Sequence, residues 1–151
     1  MTFEELKSVY TGKKVFLTGH TGFKGTWMVL LLKQLGAEVK GYSLPPIEHN
    51  ALYHQVRAEL YCESVIGDIR NREKLHREID KFQPDFIFHM AAQALVIDSY
   101  LNPVETFQTN VMGTVHVLDA MRGLNKPCNG IMITTDKVYE NQEHEAPYKE
   151  N

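Results

Sequence analysis

Residues Ile133-Thr134-Thr135-Asp136-Lys137-Val138-Tyr139 set a hydroxyl, a carboxyl and an amine side by side at the end of an apolar run. Facing one cleft, Asp136 and Lys137 would form an acid–base pair. Shielding from water would raise the Asp136 pKa, suiting it to donate a proton, and lower that of Lys137, suiting it to take one. The plain alternative for these residues is a capped loop. A second group has no reactive atoms: Gly19, Gly22 and Gly25 in KKVFLTGHTGFKG. A glycine turn between a strand and a helix exposes backbone N–H groups and roughly half a positive charge at one point, which suits a pyrophosphate. Side chains there would block the turn, the phosphate and the helix–strand contact.

The elements that must position these groups alternate. Short apolar runs at 14–18, 38–43, 62–66, 85–90 and 130–135 read as buried parallel strands. Helices are expected over 23–35, 49–58, 71–82 and 103–123. Met28, Leu31, Leu32 and Leu35 share one face of the first, and Leu75, Ile79 and Phe82 one face of the third, which Asn71 would cap. Asn102, Pro103 and Glu105 start the fourth, with Phe107, Val111, Val115 and Leu118 lining its inner side. The pattern predicts an α/β fold, a doubly wound parallel sheet of Rossmann type in the order 3-2-1-4-5.

Ligands in such folds sit beyond the carboxyl ends of the strands. The rim residues are then Gly19 to Gly25, Tyr42 and Ser43, Asp68 and Ile69, Ala91 to Gln93, and Thr135 to Lys137. The second strand ends in Gly41-Tyr42-Ser43-Leu44, with neither the acid that selects NAD nor the arginine that holds the 2′-phosphate of NADP. Ser43 can hydrogen-bond a ribose, and Lys24 either favours a phosphate or is a solvated side chain. Asp68 reads as a turn residue or as the acceptor for the exocyclic amine of adenine, with Ile69 against the ring. His89 reads as a strand-end histidine rather than a metal ligand, because no second ligand is spaced to join it, and no metal is expected. The remaining histidines read as surface residues.

Composition bounds the rest. The 151 residues suffice for one α/β domain burying about 70% of its unfolded surface. A formal net charge of -3 gives no basic footprint for nucleic acid. No apolar run approaches the roughly 20 residues that cross a bilayer, and MTFEELKSVY does not read as a signal peptide. Cys62 and Cys128, far apart, are expected as reduced thiols in a cytoplasmic protein. The polar stretch from Glu140 to Asn151 follows strand five where a sixth strand is usual. Residues 1–151 therefore read as an incomplete nucleotide-binding domain, the front of a longer protein.

TGHTGFKG at 18–25, HMAAQ at 89–93, NPVETFQTNVMGT at 102–114 and TTDKVYEN at 134–141 together resemble the extended short-chain dehydrogenase/reductase superfamily. Within it they are most similar to the CDP-glucose 4,6-dehydratase family. The resemblance implies a lyase of deoxysugar and lipopolysaccharide O-antigen biosynthesis that uses NAD, acts on CDP-glucose or another nucleotide sugar, and assembles as a homodimer or higher homo-oligomer. The long helix 103–123 would serve the subunit contact. By motif, Thr135 would hydrogen-bond the sugar 4-hydroxyl, Asp136 protonate the leaving C6 hydroxyl, and Lys137 remove the C5 proton. Phe23 and Lys24 match the pyrophosphate turn, and Asp68 and Ile69 the adenine contacts. Met90, Ala91, Ala92 and Gln93 match the segment beside the nicotinamide ribose, Thr109 a contact from the long helix, and Asn110 a structural position. The superfamily's Tyr-x-x-x-Lys pair is absent from this stretch and is expected beyond Asn151 with the sugar-nucleotide lobe. Residues 1–151 alone are accordingly expected to be inactive. Ala94-Leu95-Val96-Ile97 stands where relatives commonly carry Pro-Leu-Val-Arg.

Overall fold

The computed structural model describes residues 2–47, 51–135, 139–140, 143 and 146–148. Five strands, β1 Lys14–Thr18, β2 Glu38–Ser43, β3 Glu63–Ile66, β4 Phe86–His89 and β5 Asn129–Met132, form one sheet of order β3-β2-β1-β4-β5. Every pairing is parallel, with Val15 opposite Val39 on one side and Phe86 on the other. The expected order is borne out.

Burial explains the doubly wound form. In the central strand Val15, Phe16, Leu17 and Thr18 are all fully buried, and strand side chains alternate between faces. Phe16 joins Tyr42, Leu75, Ile79, Phe82, Ile87 and Val117 on one face of the sheet. Val15 and Leu17 join Val29, Leu32, Val39 and Phe88 on the other. Each fully buried aliphatic or aromatic side chain contributes roughly 1.5–3 kcal/mol.

Helix α1, Phe3–Tyr10, lies at the amino terminus, where no helix was expected. Thr2 and Glu5 build a reciprocal capping box, with the Thr2 amide donating to the Glu5 carboxylate at 2.7 Å. Helix α2 spans Phe23–Gln34 and buries Gly25, Thr26, Val29 and Leu32. Of the expected face, Leu32 and Leu35 point inward, whereas Leu31 is 40% exposed. The correction follows from Gly25: a Cβ there would collide with the backbone of Gly19 and His20. That close contact fixes the rotation, so the face at i, i+4 and i+7 from Gly25 meets the sheet.

The expected helix over 49–58 is shorter among the described residues. Helix α3 is a single turn, Leu52–Gln55, followed by left-handed Arg57 and a 3-10 turn at Ala58–Leu60. Helix α4, Arg72–Phe82, matches its expectation; the Asn71 side chain accepts the Lys74 amide and Leu75, Ile79 and Phe82 are buried. A short helix α5, Val96–Leu101, was not expected.

The region 103–123 is not one regular helix. Helix α6, Pro103–Phe107, passes through a π turn at Gln108–Met112 into α7, Gly113–Arg122. Pro103 occupies the first turn, but the Asn102 side chain makes no capping bond; its carbonyl takes the Thr106 amide at 3.0 Å instead. The expected inner side faces outward: Phe107 is 66% exposed, Val111 50%, Val115 45% and Leu118 49%. Gly113, Val117 and Ala120 pack inward, because a Cβ at Gly113 would sit 2.9 Å from the Ile69 side chain. Strand β5 ends at Met132, so Thr135 lies beyond the strand rather than at its tip.

Candidate functional site

The carboxyl ends of all five parallel strands form one edge of the sheet, and the glycine turn crosses it at the centre. Gly19 has φ +77, and a Cβ there would lie 2.9 Å from the Ala91 amide nitrogen. Only glycine lets the turn lie this close to the segment after β4. The Gly19 amide donates to the Tyr42 carbonyl at 2.9 Å and the Gly22 amide to the Gly19 carbonyl at 3.1 Å. Gly22 is the N-cap of α2 and offers no capping side chain. The first-turn amides that follow it have no carbonyl four residues back within the helix, so the helix start presents donors and positive partial charge. This cradle fits a pyrophosphate. Phe23 and Lys24 are exposed on that first turn.

The segment after β4 is pinned from both sides. The amides of Met90 and Ala91 both donate to Thr18 Oγ1, at 3.0 and 3.1 Å. The Thr18 hydroxyl therefore sends its own proton to His89 Nδ1, 2.7 Å away. His89 Nε2 then carries the ring proton toward Thr114 Oγ1 at 3.1 Å, and Thr114 donates to the Asn110 carbonyl at 2.7 Å. The Asn110 side chain completes the frame, accepting the Gln93 amide at 2.8 Å and donating to the Gln93 carbonyl at 2.9 Å. The Gln93 side chain turns back onto Leu95 and Thr106. Thr109 is half-buried in the π turn beside these groups in sequence. Burial holds the His89 pKa below its ordinary value, in keeping with a neutral ring.

At the β3 rim, Tyr42 donates its hydroxyl to the Asp68 carbonyl at 2.9 Å, and burial pushes the phenol up to about 12. The Asp68 carboxylate accepts the Arg70 amide at 2.8 Å and the guanidinium at 2.6 Å. That is the turn role, with the Arg70 hydrogen bonds lowering the carboxyl's pKa. Arg70 also reaches Glu105 at 3.0 Å and so ties the β3 rim to α6. Sequence reading passed over Arg70; the Asp-x-Arg spacing in an Asx turn was its signal. Ile69 is only 5% exposed and lies in the core beneath Gly113.

His20 corrects the surface reading of the histidines. It is fully buried, with Nε2 2.7 Å from Ser64 Oγ and its ring edge-on to Tyr53. Burial drives its pKa down to about 4. Ser43 ends β2 with its hydroxyl 2.7 Å from that of Thr21. Thr135 is exposed past β5, while Asp136 and Lys137 lie outside the described residues. Cys62 and Cys128 are unbridged thiols. Among the described residues no cluster of three or more His, Cys, Asp or Glu could hold a metal, and no helix is long and apolar enough to cross a membrane.

The family model described as GDP-mannose 4,6 dehydratase matches residues 16–151. The chain belongs to that family. It is 49% identical over 145 residues to the CDP-glucose 4,6-dehydratase of Salmonella typhimurium, covering 96% of this chain and 40% of that protein. It is 34% identical to the CDP-paratose 2-epimerase of Salmonella typhi, covering 91% of this chain and 40% of the relative. The chain thus spans about 40% of the length of these curated relatives. Among solved structures, the UDP-glucose-4-epimerase of Stenotrophomonas maltophila, with bound NAD and formylated UDP-arabinopyranose, superposes at TM-score 0.73 with 25% identity, over 87% of this chain and 40% of that one. The UDP-glucose 4-epimerase of Brucella ovis in complex with NAD gives TM-score 0.64 and 30% identity, over 74% of this chain and 32% of that one.

Proposed function

We propose that this chain is the NAD-binding part of a nucleotide-sugar 4,6-dehydratase that converts CDP-glucose to CDP-4-keto-6-deoxyglucose. The observation that carries the reading is the glycine cradle at Gly19, Gly22 and Gly25, facing a hydrogen-bonded wall at Met90 to Gln93. The 49% identity to a CDP-glucose 4,6-dehydratase supports the substrate. When bound, NAD would supply the acceptor for the C4 hydride and its return to C6. The amides of the first α2 turn would hold the pyrophosphate, and Ser43 and Asp68 the adenosine, while Ile69, expected against the adenine ring, is buried and would support that rim from the core. Met90, Ala91, Ala92, Gln93 and Thr109 would line the nicotinamide end.

Thr135 would fix the sugar 4-hydroxyl. Once C4 is a ketone the C5 proton is acidic; Lys137 would remove it while Asp136 protonates the C6 hydroxyl, which leaves as water. The Tyr-x-x-x-Lys pair and the sugar lobe would come from sequence outside residues 1–151. The reading carries with it a cytoplasmic setting, a place in O-antigen deoxysugar synthesis, and a homo-oligomer.

NAD titrated into the chain should raise its melting temperature. In the protein carrying this chain with its sugar lobe, Lys137→Ala should still oxidise C4 yet stall before water is lost. The likeness to epimerases favours a second reading, a nucleotide-sugar epimerase. In that case Lys137→Ala would cost little and no 6-deoxy product would form.

A further inference from the structure

The β2 rim carries a hydrogen-bond pattern that bears on which dinucleotide fits. Thr21 Oγ1 lies 2.8 Å from the Leu44 carbonyl and 2.7 Å from Ser43 Oγ. A carbonyl oxygen only accepts, so the single Thr21 hydroxyl proton goes to Leu44. Ser43 must then donate its own proton to Thr21. Ser43 is 9% exposed and Thr21 7%, so little water competes for either proton. What Ser43 Oγ has left for a ligand is lone pairs.

Ser43 is the last residue of β2, next to Gly67, whose amide donates to the Ser43 carbonyl at 2.8 Å. In doubly wound sheets this is where the adenosine ribose is read, ordinarily by an acid that accepts from the 2′-hydroxyl. We propose that the Thr21–Ser43 hydroxyl pair stands in for that acid. Locked as an acceptor, Ser43 takes a hydrogen bond from a free ribose 2′-hydroxyl and has no proton for a 2′-phosphate. The site therefore selects NAD over NADP.

Arg70, on the adjoining β3 rim, does not reverse this. The Arg70 guanidinium is held by Asp68 and Glu105, so a 2′-phosphate could win it only by displacing two carboxylates. The half-buried Asp68 carboxylate adds negative charge on the same rim. The inference rests on the dinucleotide reading above and adds the residues that discriminate.

The test is calorimetric titration of the 151-residue chain with NAD and with NADP, for wild type, Ser43→Ala and Thr21→Val. Wild type should bind NAD at least about tenfold more tightly than NADP, the scale of one hydrogen-bond mismatch at a buried polar group. Ser43→Ala should weaken NAD several-fold and leave NADP unchanged. Thr21→Val frees the Ser43 proton, so the NAD/NADP ratio should fall toward unity. A melt of each variant without ligand identifies any that fails to fold, and Ser43→Ala, which removes one atom, then decides alone. NADP binding as tightly as NAD to wild type, with Lys24→Ala weakening it, would overturn the selection while leaving the nucleotide site intact. Binding of neither dinucleotide would overturn the site itself, and the selection with it.

Discussion

Two buried histidines, His20 in the glycine turn and His89 at the end of β4, make this rim of the sheet acid-sensitive. His20 is fully buried with its pKa lowered to about 4 from an ordinary 6.5, and His89 is lowered by the same burial. The folded protein thus refuses protons that the unfolded chain takes up. Their stabilisation is complete above pH 6.5 and is lost as pH falls through the folded values. For His20 the window is pH 6.5 to about 4, and its full effect is roughly 3 kcal/mol. Chemical-denaturation midpoints at steps between pH 7 and 4.5 should fall steadily, and His20→Asn should flatten the fall. A midpoint independent of pH across that interval would refute the assignment. Both residues show what the sequence left hidden. His89 was legible as a strand-end histidine, but nothing in HMAAQ says that its partners are Thr18 and Thr114. His20 looked like one more polar residue of a loop. Its burial depends on Gly41 giving the ring room: a Cβ there would lie 2.7 Å from its Nδ1.

At the scale of elements, helix rotation was the least legible feature. Helices α2 and α7 both carry apolar residues on more than one side, so periodicity alone names no inner face. In each the deciding contact is a glycine against another element, Gly25 on the Gly19 turn and Gly113 on Ile69. Strand positions were legible because a parallel sheet buried on both faces demands short apolar runs. β2, EVKGYS, was legible at 38–43 despite a charge in its middle, Lys40, which it buries. Its ammonium is 2% exposed and lies 2.7 Å from Glu78 on α4 and 3.0 Å from Glu63 on β3. Burial opposes its charge, but the bonds to Glu78 and Glu63 more than offset this, and the Lys40 pKa stays raised. Glu78→Ala should leave the ammonium to the exposed Glu63 and cost on the order of 2–3 kcal/mol, somewhat less than a buried pair broken outright. Lys40→Met combined with Glu78→Leu should recover most of that loss. If the double variant is no more stable than Glu78→Ala, the ion pair does more than neutralise a buried charge.

At the scale of the whole molecule, the outward stripe on α6, the π turn and α7 bears on assembly. Val104, Phe107, Val111, Val115 and Leu118 are each between 45% and 70% exposed along one run of helix. A contiguous apolar strip of this kind marks a contact surface, and the proposed homo-oligomer would use it. The inward residues Gly113, Val117 and Ala120 hold the helix to the sheet independently of that strip, so the two roles can be separated by mutation. Val111→Glu and Leu118→Glu place charge only on the outer side. In sedimentation velocity the wild-type chain should run as a dimer or larger species, the double variant as a monomer, with melting temperatures that differ little. A monomeric wild type at every concentration tested would detach this face from assembly. A double variant that melts far lower would show the stripe to be packed against the chain's own fold.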